Sequence, residues 1–318
     1  MSIAIVVVLG YGTVMAGGFG SVAENAQSMA GYISLTHLHD AATGSASSYG
    51  VLTICSTLAW GLGYFGMPHI LLRFMAIEDS EKIKVSRRIA SVWVVISMTV
   101  AVFIGVIGNA LSAGGKIETL GGNDSETVIM KMATLMSENG ILAALFAGLI
   151  FAGILACTMS TSDSQLLAAS SSMSENFIKG VFRIKLTDKQ SMLIARLVLV
   201  FIAVISVFIA WNPDSSVFKI VSFAWAGFGA TFGPLMIASL FWKRSNKYGA
   251  VACLITGAVT VFVWKFCVRP LGGSWDIYEL LPAFIAGGIA MVIASLVTSK
   301  PENEIAADFE AVSREIKA

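Results

Sequence analysis

The sequence predicts an all-α polytopic membrane protein, on the evidence of its composition, hydropathy and charge. Apolar residues make up 56% of the 318 positions and charged residues only 13%, about half the charged share of a soluble domain. The mean hydropathy is +0.79. A net charge of +1 argues against a nucleic-acid partner, because such partners select strongly basic surfaces. We therefore expect the lipid bilayer to surround most of the chain.

Eight segments are long and apolar enough to cross a bilayer, which takes about 20 residues in a helix. They cover residues 2–18, 51–75, 89–112, 140–173, 191–211, 217–242, 249–268 and 280–298. We expect one transmembrane domain over residues 1–318 that ends in a cytoplasmic tail over 299–318. The tail is rich in charge and alanine, which predicts a solvated helix.

Lysine and arginine are abundant at every second connection between these spans. Sixteen of the 21 cationic residues cluster at the connections after the second, fourth and sixth spans and in the tail. Cationic residues accumulate on the cytoplasmic side of membrane proteins. The alternation therefore predicts cytoplasmic termini and a multi-pass protein of the plasma or inner membrane.

Residues 124–138, DSETVIMKMATLMSE, carry apolar side chains at helical spacing. This pattern predicts a short amphipathic helix. Two positions suit it equally well: flat on the outer membrane surface, or packed against other helices of the protein.

One apolar segment contains residues that interrupt helices. The stretch WGLGYFGMPHILLRF carries Gly61, Gly63, Gly66 and Pro68. Glycine permits unusual backbone angles, and proline disfavours helix at the residue before it. Non-helical backbone at membrane depth occurs only where protein or a wet cavity covers it. Broken helices of this kind form solute and ion sites in secondary transporters.

Trp60, Tyr64 and Pro68 follow one another at intervals of four in that stretch, so a helix would place them on one face. The face offers an apolar wall and a phenol hydroxyl, which suits a small solute. A proline kink whose aromatic residues pack in the core is the alternative.

A second segment, GILACTMSTSDSQLLAASSS, is unusually rich in hydroxyl groups. Cys157, Ser160, Thr161 and Ser164 recur at the spacing of one helical face. Hydroxyl and carbonyl oxygens suit hard cations, although small serines also allow close helix packing. Asp163 lies off the direction of Ser160 and Thr161, and an ionisable residue at membrane depth indicates a functional site. We interpret Asp163 and Ser164 as groups behind the ion ligands or along the ion pathway.

A third segment, FAWAGFGATFGP over residues 223–234, combines glycines and alanines with Pro234. Small residues let helix backbones approach closely in membranes. The segment therefore predicts tight helix packing, with a hinge as the alternative.

The chain resembles the solute:sodium symporter family, and within it the members that transport proline. The resemblance rests on WGLGYFGMPHILLRFMA (60–76), ILACTMSTSDSQLLAASSS (154–172), FAWAGFGATFGP (223–234), VFVWK (261–265) and YELLPAF (278–284). These segments occur in the family's order and span nearly the whole chain. They imply a LeuT-type inverted-repeat fold and sodium-coupled symport of L-proline by alternating access. The protein would then be a secondary active transporter and not an enzyme.

The resemblance also implies roles for six residues. Substrate-site positions of the family match Trp60, Tyr64 and Pro68, and positions that bind the co-transported sodium ion match Cys157, Ser160 and Thr161. The Cys157 position would contribute its backbone carbonyl. Met67 departs from the glutamine of some relatives, which removes one polar contact near the substrate.

The resemblance covers only part of the family fold. The eight spans match its last eight helices: the last helix of repeat one, all of repeat two and two peripheral helices. We expect the missing amino-terminal helices of the same transporter as partners, because they would complete both sites. Met1 lies at the edge of an apolar span without a preceding cation, which also suggests a chain that begins within a longer protein.

Other functions stay open. A sodium symporter for another small zwitterionic or organic solute would carry the same segments, and a non-functional truncated remnant or non-transporting membrane module is a further alternative. A membrane-embedded enzyme is disfavoured. Asp163 is the only acidic residue within the spans suited to such an enzyme, and neither G-x-S-x-G nor H-E-x-x-H occurs.

Overall fold

The computed structural model describes residues 2–40, 43–173, 178, 180, 187–211, 216–301 and 303–317. Within them the helices are α1 (Ser2–Met15), α2 (Phe19–Ser28), α3 (Val51–Gly63), α4 (Pro68–Met75), α5 (Lys82–Ala113), α6 (Val128–Ser137), α7 (Ile141–Ser171), α8 (Asp188–Ala210), α9 (Val217–Phe241), α10 (Lys247–Val263), α11 (Leu280–Val297) and α12 (Asn303–Lys317). A π-helical stretch, Trp264–Val268, follows α10. Three cations that supported the predicted orientation, Lys179, Arg183 and Lys185, lie outside the described residues.

The prediction of a helical multi-pass membrane protein is confirmed. In the described part of the chain, six helices are long and apolar enough to cross a membrane, and two bent helix pairs raise the number to as many as eight. One pair departs from the sequence prediction. The apolar span expected over residues 2–18 corresponds to α1, which ends at Met15, and α2 follows after a bend of 79°. Gly17 and Gly18 form the turn with φ angles of 91° and 95°, which favour glycine.

A small sheet of two strands, β1 (His37–Asp40) and β2 (Ser45–Ser48), lies between α2 and α3. The sequence prediction placed only helices and missed it. Strands of four residues without alternating apolar side chains carry almost no periodic signal.

The helices group into two compact units. One contains Met1–Ser47 and Asp79–Ser216, and the other contains Ser48–Glu78 and Val217–Ala318. The single transmembrane domain expected from the sequence stays a prediction, and each unit is described by itself.

The core of the first unit forms around α1, α5, α6 and α7. Val8, Leu111 and Met132 are almost fully buried there, and Asn25 of α2 donates a 2.9 Å hydrogen bond to Asn109 of α5. The apolar face of α6 therefore packs against other helices, the second of its two predicted positions. The helix begins at Val128, because the residues before it form a 3₁₀ turn.

The core of the second unit forms where α3, α9, α10 and α11 meet. Ala226 and Ala230 of α9 are completely buried. A Cβ atom at Gly229 would lie 2.7 Å from the Cα atom of Gly63. The backbones thus touch directly, which confirms the tight packing predicted for FAWAGFGATFGP.

Polar side chains close the end of α11 near the tail. Arg244 donates hydrogen bonds of 2.9 and 3.1 Å to the carbonyls of Thr298 and Ser299. Thr298 caps α11, and the carbonyl at that position has no regular partner within the helix. The helix predicted for the tail is confirmed as α12. Lys243 pairs with Glu310 of α12, and its hydrogen bond and charge lower the pKa of that carboxyl.

Replacement of Gly229 by alanine should weaken the second unit. The added Cβ would force α3 and α9 apart, and overpacking of this kind destabilises by about 1–3 kcal/mol. Gly227→Ala is the matched control, because its Cβ would meet no atom within 4 Å and alanine favours helix. Thermal unfolding in detergent measures both variants, and equal midpoints would contradict the prediction.

Candidate functional site

The predicted broken helix is present in the second unit. Helix α3 ends at Gly63, one 3₁₀ turn covers Tyr64–Gly66, and Met67 is extended at φ −79° and ψ 115°. Helix α4 then begins at Pro68, bent by 47° from the preceding segment. Proline disfavours helix at the residue before it and suits the first position of a new helix. The break at Met67 is therefore encoded by Pro68.

The sequence suggested that the glycines supply unusual backbone angles at the break, but in the structure Gly63 and Gly66 make room for a neighbouring helix. Gly63 has ordinary helical angles, φ −62° and ψ −31°, so it does not supply unusual backbone freedom. A Cβ at Gly63 would overlap the Trp225 indole, and one at Gly66 would overlap the Phe228 carbonyl oxygen. Both glycines are needed because α9 passes within backbone contact of the break.

Trp60 stacks with three other aromatic rings, and the four side chains together are called the aromatic cluster. Its ring is nearly parallel to those of Phe218, Trp225 and Tyr278, with centroids 5.4, 5.6 and 6.0 Å away. Stacked rings at such distances attract one another beyond their burial of apolar surface. The cluster therefore holds Trp60 rigidly at the last turn of α3.

Tyr64 and Pro68, unlike Trp60, are exposed to the surface. Tyr64 is 52% exposed and meets Trp225 edge-on at 4.8 Å, and Pro68 is exposed at the start of α4. A 3₁₀ turn has about three residues per turn, so an interval of four no longer returns to the same face. The structure thus gives a fixed Trp60 beside two accessible groups, and their roles in solute binding stay predictions.

Two residues that sequence reasoning did not assign to the site hold this arrangement together. Trp225 donates from its indole nitrogen to the Trp60 carbonyl oxygen at 3.0 Å. Tyr278 donates from its hydroxyl to the Ser222 carbonyl oxygen at 2.6 Å. The available signal was the presence of both aromatic residues within the segments FAWAGFGATFGP and YELLPAF.

An ionic cluster around the buried carboxylate of Glu279 adjoins Tyr278. The Glu279 side chain is 0% exposed, with Arg269 at 2.8 Å and Lys265 at 3.2 Å. Arg269 also binds Asp276 at 2.8 Å. The Glu279 oxygen near Lys265 makes an ionic contact but no hydrogen bond, so the Arg269 contact is the better formed of the two. The charges of the two cations, Lys265 and Arg269, thus neutralise those of the two carboxylates, Glu279 and Asp276.

Burial favours the protonated form of Tyr278. Burial, and after it the charge of Glu279, raise the pKa of the Tyr278 phenol above its ordinary value. A raised phenol pKa means that the neutral form is present throughout the physiological pH range. The hydroxyl therefore keeps its proton for the bond to Ser222.

The helical face predicted to carry hydroxyl groups lies on α7 in the first unit. It is formed by Cys157, Ser160, Thr161 and Ser164 and is called the hydroxyl stripe below. The Thr161 hydroxyl donates to the Cys157 carbonyl at 3.0 Å, and the Ser164 hydroxyl donates to the Thr161 carbonyl at 2.9 Å. Among the described residues the Ser160 hydroxyl has no hydrogen-bond partner. The helix thus brings together the carbonyl and the hydroxyl that the resemblance assigns to sodium, and their binding of the ion stays a prediction.

The residues of this stripe, Cys157, Ser160, Thr161 and Ser164, are all exposed, and so is Asp163 beside them. Hard cations such as calcium take about six to eight oxygen ligands. The two hydroxyls and one carbonyl of this helix are fewer oxygens than such a site has.

Comparison with known proteins gives these features a context. The sequence pattern of the sodium:solute symporter family matches residues 1–257. The chain belongs to this family. The match includes the broken helix, the hydroxyl stripe and the glycine-rich part of α9.

Individual relatives agree with this assignment. The osmoregulated proline transporter OpuE of Bacillus subtilis is 40% identical over 79% of this chain and 49% of its own length. A sodium/proline symporter of Haemophilus influenzae is 39% identical, with 84% and 52% covered. The high-affinity proline transporter PutP of Bacillus subtilis is 38% identical, with 81% and 52% covered. The chain therefore spans about half the length of these relatives.

Removal of Arg269 should destabilise the second unit more than removal of an exposed cation. Arg269→Ala leaves the buried Glu279 carboxylate with only the ionic contact to Lys265, which is not a hydrogen bond. Breaking a buried ion pair lowers the free energy of unfolding by about 3 kcal/mol. Lys243→Ala breaks a pair whose two side chains are about half exposed, which costs less than about 1 kcal/mol. Thermal unfolding in detergent compares them, and a larger loss for Lys243→Ala would be the contrary result.

Proposed function

We propose that this chain forms part of a sodium-coupled symporter for L-proline, working by alternating access in the cytoplasmic membrane. The observation that carries the proposal is the break in a membrane-spanning segment at Met67, beside a fixed indole and an accessible phenol. Secondary transporters bind solutes at such breaks. Family membership favours a transporter over an enzyme, and relatives named as proline transporters favour proline as the solute.

In this proposal the solute lies against the broken helix. The pyrrolidine ring of proline is compact and apolar, which suits the aromatic surface formed by Trp60 and Tyr64. Pro68 begins α4, and the amino-terminal end of a helix favours a carboxylate. Met67 is buried, and the resemblance to the family implies that its apolar side chain replaces a glutamine of some relatives.

Sodium binds in this proposal to the side chains of Ser160 and Thr161 and to the Cys157 carbonyl. Asp163 and Ser164 lie beside these ligands and support the ion site or its pathway. The remaining oxygens come from the amino-terminal helices that the resemblance implies. The exposure of the hydroxyl stripe supports this arrangement, because polar groups at membrane depth are covered by protein or water.

Sodium and proline binding are coupled in this mechanism. Bound sodium favours an outward-open state with high affinity for proline, and linkage then requires proline to tighten sodium binding by the same factor. The LeuT-type inverted repeat and the cytoplasmic position of both termini complete the proposal, and the distribution of cationic residues supports that orientation.

Loss of both hydroxyls should weaken sodium activation. We expect Ser160→Ala with Thr161→Ala to raise the sodium concentration for half-maximal proline uptake by about tenfold or more, because hydrogen-bonding and ion-binding oxygens contribute about 1.5–3 kcal/mol to charged ligands. Uptake of labelled proline is measured in vesicles from cells that express the chain together with the missing amino-terminal helices.

Ser206→Ala is the matched control, because Ser206 also bonds a backbone carbonyl of its own apolar helix. An unchanged sodium dependence in the double variant would overturn the ion-site assignment. Excess unlabelled betaine distinguishes a symporter for another zwitterion, since it would then suppress uptake better than proline. Absence of uptake in the unaltered protein would favour a non-functional remnant.

A further inference from the structure

Trp225 of α9 binds the backbone of the broken helix at a particular place. The carbonyl of Trp60 lies in the last turn of α3, where the backbone N–H of Tyr64 donates to the Leu62 carbonyl. The Trp225 indole donates to it at 3.0 Å. An indole has one donor and no acceptor, so this bond uses its entire hydrogen-bonding capacity.

The Trp225 ring also contacts the side chains of both Trp60 and Tyr64. It is nearly parallel to Trp60, at 14° and 5.6 Å between centroids, and edge-on to Tyr64, at 83° and 4.8 Å. Both arrangements are favourable for aromatic pairs. One side chain thus touches two residues proposed to bind the solute.

Gly63 allows this contact. A Cβ at this position would overlap the Trp225 indole ring, so the ring occupies space that a side chain would otherwise fill. Gly61, two residues earlier, has no atom within 4 Å of its hypothetical Cβ. The chain therefore accepts a side chain at Gly61 but excludes one where Trp225 lies.

Trp225 belongs to a closely packed part of α9. Ala226 and Ala230 beside it are completely buried, and Gly229 is in backbone contact with Gly63. The Ser222 carbonyl, one turn earlier on α9, accepts the hydroxyl of Tyr278. Two rings that stack on Trp60 are therefore both anchored to α9.

We propose that Trp225 is a positioning residue for the solute site: it holds Trp60 and Tyr64 in the geometry that binds the solute, through its bond to the Trp60 carbonyl and its ring contacts. This inference rests on the proposed function. Its action is indirect, so it affects solute affinity more than the maximal rate of transport.

The first test compares two tryptophans that make the same kind of bond. Trp225→Phe keeps an aromatic ring but removes the indole donor, and Trp264→Phe removes an indole donor to the Ile277 carbonyl at 3.2 Å. We expect Trp225→Phe to raise the KM for proline about tenfold, the effect of a part-buried carbonyl that loses its donor, with kcat changed less than about twofold. Trp264→Phe should leave KM unchanged. Equal KM values in both variants and the unaltered protein would overturn the inference.

A second test leaves Trp225 in place. Gly63→Ala should displace the indole and raise KM as Trp225→Phe does, whereas Gly61→Ala should not. If both glycine variants behave alike, or Gly63→Ala leaves KM unchanged, the contact does not set solute affinity. This comparison also serves if Trp225→Phe fails to accumulate in the membrane.

A third measurement is independent of transport. A cysteine introduced as Phe65→Cys lies in the turn after α3, and its reaction rate with a maleimide is followed by mass spectrometry of that peptide. Trp225→Phe should raise the rate about threefold or more, because a segment with fewer contacts opens more often. Trp264→Phe should not change it.

An unchanged maleimide rate in Trp225→Phe would overturn the positioning role, whether or not transport is observed. Normal uptake with unaltered KM would remove this inference and leave the proposed function intact. No uptake in the unaltered protein, together with an increased maleimide rate, would remove the proposed function and retain Trp225 as the residue that fixes the break.

Discussion

The backbone contact between the end of α3 and α9 is the constraint on which the second unit depends. Gly63, Gly66 and Gly229 have no side chains, and therefore two helices approach until their main chains touch. Only at that distance does the Trp225 indole reach the Trp60 carbonyl. An interrupted helix would otherwise leave carbonyls unpaired at membrane depth, where an unpaired polar group is strongly destabilising. The glycines thus stabilise the break, because they bring the Trp225 indole N–H close to the Trp60 carbonyl.

Sequence patterns predicted features that depend on near neighbours. The break followed from Pro68, and the hydroxyl stripe followed from the helical spacing of Cys157 and Thr161. Features that depend on distant residues were missed or misread. Trp225 lies far from Trp60 in the chain, so no local spacing could pair them. The glycines were assigned to backbone freedom, because a sequence does not show which helix passes beside them.

Other differences have equally physical causes. The position of α6 stayed open because an amphipathic face fits a membrane surface and a protein core equally well, and Met132 shows its contact with the core. The motif YELLPAF contained Glu279, but its neutralisation depends on Lys265 and Arg269, which follow a different helix. Buried ion pairs contribute little net stability. Here they connect the segment that carries Tyr278 to the residues after α10.

The hydroxyl stripe of α7 has a consequence for biogenesis. Thr158, Thr161 and Ser164 each donate to a carbonyl of their own helix, so these protons need no neighbouring chain. A hydroxyl satisfied in this way enters hydrocarbon at far lower cost than a free one. These three hydroxyls therefore add little to the cost of inserting α7 into a bilayer, whereas the Ser160 hydroxyl and the Asp163 carboxyl of the same helix still need partners from outside it.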